Sequence, residues 1–174
     1  MSGPPPGVPG FDSHETRLTV WEPPLRRGLR VSDIDVARSR IERCLQDLWD
    51  DPHVEPDVDG DYLYRSGTAT CWIRLDAHEP AIVKAMACAA VDVKKSARLF
   101  SELNEINARC RTSHVYWSAG SIIVEQAMLA HAVDLRVLAQ AGRSVACVAN
   151  DIGSMITTLF GGRSPLEDLE EPAS

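Results

Sequence analysis

The chain has 174 residues, with 18 basic against 25 acidic side chains and a formal net charge of −7. That length suits one ordinary domain, and the acidic balance argues against a polyanion binder, which needs clustered Lys and Arg. Hydrophobic residues make up 44% of the chain, enough for a packed core. No window approaches the ~18 apolar residues of a membrane span. The start, MSGPPPGVPG, lacks the basic and apolar stretches of a signal peptide, so a cytoplasmic protein is expected.

Residues 1–31 read as an arm. Six of the eleven prolines fall between residues 4 and 24, and proline fixes φ and removes a backbone donor, so an extended or irregular chain is expected. Leu18, Val20, Trp21 and Leu25 are apolar anchors within it, costly to leave in water, and they suggest that part of the arm docks.

Ser32, followed by Asp33 and Asp35, is the expected cap of a first helix. Ile34, Ala37, Ile41, Cys44, Leu45 and Leu48 recur at helical spacing, and Pro52 ends the element. Residues 50–61 then carry six acids with Pro52, Pro56 and Gly60, and read as a loop. Three strands are expected next: 61–66, 68–76 after a turn at Gly67, and 81–91 after Pro80. In the second, Ala69, Cys71, Ile73 and Leu75 alternate with Thr70, Trp72, Arg74 and Asp76. The third is apolar throughout; its Ile and Val residues favour strand over helix.

Asp92 is the expected cap of a second helix over 92–109, with Val93, Ala97, Phe100, Leu103, Ile106, Asn107 and Cys110 as its stripe. Strands 113–118 and 121–129 flank a hairpin turn at Ala119-Gly120. Asp134 caps a third helix over 135–160, closed by Gly161-Gly162. At ~1.5 Å per residue it is roughly 39 Å long. Residues 163–174 read as a solvated acidic tail. The order α-β-β-β-α-β-β-α gives an α+β two-layer sandwich: a five-stranded antiparallel sheet with helices on one face and the other face open.

Motifs for chemistry are sparse. Cys44, Cys71, Cys88, Cys110 and Cys147 include no C-x-x-C, and four of them sit among apolar neighbours as small buried hydrophobes do. Asp57, Asp59 and Asp61 alternate like the start of a calcium loop, but the glycine falls at its fourth position instead of the sixth, and Thr68 occupies the twelfth. His14, His53, His78, His114 and His131 are scattered, and no nucleophile, metalloprotease or phosphate-loop motif occurs. No catalytic residue, metal or cofactor is therefore expected. Tyr62, Tyr64, Trp72, Tyr116 and Trp117 lie on strands. Core and sheet-face packing is their first reading, a peptide-binding face built on Tyr62, Tyr64, Trp72 and Arg74 the second, and nucleic acid the third.

Residues 99–107, Leu-Phe-Ser-Glu-Leu-Asn-Glu-Ile-Asn, carry an L-N-x-x-N pattern on the second helix. A strand with His114-Val115-Tyr116-Trp117 follows, then a hairpin, a strand ending at Leu129 and a long helix ending Phe160-Gly161-Gly162. With the Asp57–Tyr62 approach to the first strand, this series resembles the YbjN family, related in fold to the class I type III secretion chaperones, over residues 32–162. The resemblance implies a non-enzymatic, usually homodimeric protein that binds an extended segment of a partner protein. A regulatory adaptor for a folded partner is the second reading, and an enzyme with an unrecognised site the third. No nucleic acid or membrane partner is implied. Asn104, Asn107, Gly161 and Gly162 are the recognisable positions, with structural roles implied. The proline-rich arm departs from the minimal family pattern.

Overall fold

The structure is a computed structural model, and it describes residues 31–166. Leu18, Val20, Trp21 and Leu25 of the arm, and the tail from residue 167 onward, lie outside the described residues. The elements are α1 (Val31–Trp49), β1 (Asp61–Ser66), β2 (Ala69–Asp76), β3 (Ile82–Ala90), α2 (Ala97–Arg109), β4 (His114–Ser118), β5 (Ser121–Leu129) and α3 (Leu135–Phe160), with a short 3-10 turn at Ala130–Ala132. The five strands form one antiparallel sheet in the order β1-β2-β3-β5-β4, so β1 and β4 are its edges. The α+β sandwich read from the two periodicities is the fold of the chain.

One face of the sheet carries all three helices. Cys71 and Ile73 of β2, Val83, Ala85 and Ala87 of β3, and Val124 of β5 form one buried cluster with Ile41 and Leu45 of α1, Leu99, Leu103 and Ile106 of α2, and Leu138, Val145 and Ile156 of α3. The alanines of β3 have a physical reason: α3 packs on β3 more than on any other strand, and small side chains let helix and strand approach. At Gly153 of α3 an added Cβ would come within 2.9 Å of the Ala89 carbonyl oxygen.

Three local expectations are corrected. Helix α2 starts at Ala97, capped by Ser96, whose Oγ accepts from the Leu99 amide at 3.1 Å. Asp92 is no cap; it sits at φ 58°, while the next amide, Val93, donates to the Gly120 carbonyl at 2.8 Å. The buried stripe of α2 is therefore Leu99, Leu103 and Ile106, and Phe100 is 49% exposed. Helix α1 begins at Val31, one residue before the Ser32 expected to cap it.

The C-terminal boundary also moves. Gly161 (φ 77°) and Gly162 (φ 92°) end α3 in the left-handed region that glycine adopts without strain. At Gly162 a Cβ would also press on Val93, 2.8 Å from its Cγ2. The turn returns the chain to the end of β3, where Val91 and Arg163 exchange two backbone hydrogen bonds of 3.0 Å and Arg163 Nε donates to Asp92 at 2.7 Å. Residues 163–166, expected in a solvated tail, thus include a bridged Arg163 and a buried Pro165.

Candidate functional site

Beside the edge strand β1 lies a groove of about 410 Å³ between α1 and α3. Its floor is short of side chains because Ala139, Gly142 and Ala146 recur at helical spacing on α3. Its walls are Leu45, Leu48 and Trp49 from the last turns of α1, and Tyr64 from β1. Arg65 and Arg143 stand at the rim, both exposed. Tyr64 donates from its hydroxyl to the Gly142 carbonyl at 3.1 Å, and its ring lies 5.9 Å from that of Trp49. Burial, and then the neighbouring Cys71, push the Tyr64 phenol well above its ordinary range.

The opposite, open face of the sheet has its own apolar cluster. Met86 and Cys88 of β3 and Ile123 of β5 are buried, with Trp72 of β2, Tyr116 of β4 and Val91 packed around them. These are strand residues apart from Val91, just past β3. Trp72 pairs in register with Met86, and Met86 with Glu125. Glu125 accepts from the Tyr116 hydroxyl at 2.9 Å. Burial and that carboxylate push the Tyr116 phenol up to about 12. The Trp72 indole Nε1 is buried and has no hydrogen-bond partner among the described residues, a costly state for a donor.

Polar rows border this cluster. Arg74 grips Asp61 through both arms of its guanidinium, Nε at 2.7 Å and a second contact from Nη2. Lys84 bonds Asp76 at 3.2 Å, and Asp76 also holds His78 at 2.6 Å; the His78 contacts, foremost, and Lys84 keep the Asp76 carboxyl well below the usual range. Asp57 Oδ1 accepts from the amides of Asp59 and Asp61, so the carboxylate that opens the acidic loop shapes its turn.

The four residues proposed for a peptide-binding face do not share one. Tyr62 is 1% exposed on the helix side, its hydroxyl donating to Glu42 at 2.9 Å. Tyr64 lines the groove, on that same side, while Trp72 and Arg74 belong to the open face. Asn107 bonds β4 with both ends of its amide, to the Val115 carbonyl at 2.9 Å and from the Val115 amide at 2.7 Å; Asn104 is exposed. A third apolar surface lies on α2, where Phe100 packs edge-on against Trp117 at 6.5 Å; at the end of α3, Leu159 is also exposed, at 45%. The groove is the part of the site that the sequence motifs do not reveal: Trp49, Ala139 and Gly142 belong to none of them, and the small residues at helical spacing are their one readable signal.

Among the described residues no three His, Cys, Asp or Glu side chains are grouped to hold a metal ion. No helix among them is long and apolar enough to cross a membrane.

Residues 35–168 match the family described as the type III secretion (YopN, CesT) and YbjN peptide-binding chaperone 1. The chain belongs to this family. The resemblance drawn from the L-N-x-x-N helix and the elements after it names the same group. Among solved structures the chain is similar to the crystal structure of the ExsC–ExsE complex, at 16% identity and a TM-score of 0.56, covering 68% of this chain and 94% of that one. That likeness shows the fold. None of the curated proteins matches.

Proposed function

We propose that this peptide-binding chaperone is non-enzymatic and holds an extended segment of a partner protein against the edge of β1. The observation that carries the reading is the apolar groove beside an edge strand. An edge strand offers unpaired backbone groups for strand addition, and the groove would seat an apolar side chain of the added segment between Trp49, Leu48 and Tyr64. Arg65 and Arg143 favour a segment with an acidic residue next to its apolar anchor. The protein works in the cytoplasm, and neither nucleic acid nor membrane is its partner; the net charge of −7 supports the first exclusion.

A second copy is the expected partner for α2. The exposed Phe100 and Leu159 support an apolar contact there, and a stable pair would bury ~1,200 Å² or more. A folded partner taken up as an adaptor would use that same surface.

The test is fluorescence anisotropy with a labelled ten-residue peptide of alternating Leu and Ser carrying one Glu. Ala139→Trp, which fills the groove, is expected to weaken binding at least tenfold, and Trp49→Ala several-fold. Equal affinity for both variants would move the site away from the groove; no binding to the wild type would sink the reading.

A further inference from the structure

The open face poses a separate question. Met86, Cys88 and Ile123 are only 7%, 7% and 8% exposed, yet their cluster holds strand residues and Val91 alone among the described residues. In its midst the Trp72 indole N–H is buried without a described partner. A buried donor of this kind calls for an acceptor over the face.

We propose that the chain's own N-terminal arm supplies that cover, residues 17–25 crossing the open face as a strap with one of their backbone carbonyls accepting from Trp72 Nε1.

Reach permits it. Arg40 of α1 donates to the His131 carbonyl at 3.0 Å, and Glu42 meets Tyr62. Helix α1 therefore runs in the same sense as β1, and Val31 projects beyond the sheet end marked by Asp61 and Leu129. Val31 stands about 14 Å along the axis before Arg40. The row of Trp72 lies two residues, about 7 Å, inside the row of Arg74. Ten extended residues from Val31 back to Trp21 span about 33 Å, which leaves about 12 Å for turning the sheet end.

Chemistry fits as well. A proline-rich segment favours an extended form whose carbonyls have no internal partner, and aromatic-lined grooves take up such segments. Here Trp72 and Tyr116 are the aromatic lining. Leu18 and Val20, two residues apart, fall on one side of an extended chain, suited to Met86 and Ile123.

The strap is independent of the groove reading, since the two sites lie on opposite faces. It is tested in the full chain by placing the photo-crosslinker p-benzoylphenylalanine at position 18. Irradiation is expected to join residue 18, within one chain, to the tryptic peptide containing Met86. Cross-links to α1, α3 or a second copy, or none, would overturn the strap. The second measurement follows the indole proton of Trp72 by NMR, assigned by its loss in Trp72→Phe. Its exchange with solvent should be slow in the wild type and at least tenfold faster in Leu18→Ser/Val20→Ser. Fast exchange in the wild type, or no change in the double variant, would overturn it too, while leaving peptide binding at the groove untouched.

Discussion

Ile122 and Ile123 are neighbours on β5, and both are buried, at 0% and 8% exposure. They nevertheless belong to different environments. Ile122 faces three helices and joins the large cluster; Ile123 faces the other way, into a patch of three buried residues. The helix face is a closed jigsaw in which polar groups are paired: Tyr62 to Glu42, Tyr64 to Gly142, Asn107 to Val115. The open face mixes a small apolar centre, an indole with no partner among the described residues and rows of ion pairs. The comparison teaches that burial alone does not define a core. What matters is how many fixed neighbours close around a side chain and whether its polar atoms are satisfied.

Paired substitutions sharpen this contrast. Ile122→Ala leaves a cavity among rigid neighbours and should lower unfolding free energy by about 3–5 kcal/mol. Ile123→Ala, with fewer fixed neighbours, should cost roughly 1–2 kcal/mol. Urea unfolding of the two variants measures the difference, and equal losses would break the distinction between the faces.

Asn107→Ala comes next. It removes both side-chain bonds to Val115, one of which satisfies a buried residue's amide. A loss of about 2 kcal/mol is expected in the same assay. Asn104→Ala, at an exposed position, should change stability by less than about 0.5 kcal/mol. A similar loss at both positions would contradict the assignment of α2's inner face.

Tyr62→Phe deletes one bonded hydroxyl on the helix side and should cost about 1 kcal/mol. The tyrosines give a pH test as well. Burial, with Glu42 and Glu125 respectively, raises Tyr62 and Tyr116 from 10.0 to about 12. The folded state therefore holds these protons more tightly than the unfolded chain. Their contribution is complete below pH 10 and is lost as pH rises through about 12. Absorbance of tyrosinate should show no step centred at 10 while the protein stays folded, and stability should fall across that window. A normal step at 10 would show open phenols.

The smallest effect concerns thiols. Burial pushes Cys71 up to about 11, whereas Cys147 is exposed. A thiol reagent at pH 8 should modify Cys147 within minutes and Cys71 only on unfolding. Early modification of Cys71 would mean that the helix face opens readily.

The alternation of Ala69, Cys71, Ile73 and Leu75 with Trp72 and Arg74, and the helical spacing of Leu138, Val145 and Ile156, were enough to determine the element order and the sheet-and-helix class, because side-chain direction follows local geometry. Local pattern also located the caps at Asp134 and Gly161. It misplaced the start of α2, since Asp92 and Val93 continue the helical spacing while the Val93 amide is claimed by the Gly120 carbonyl and the Asp92 carboxylate by Arg163, both distant in the chain. It could not say that Tyr62 and Trp72, both strand aromatics, would point to opposite faces, because that depends on the register between β1 and β2. Nor could it assemble the groove. Trp49, Tyr64 and Gly142 come together only when α1 and β1 pack on a helix in which Gly142 stands 78 residues beyond Tyr64, and such contacts are set by how the layers close, not by any periodicity a single segment carries.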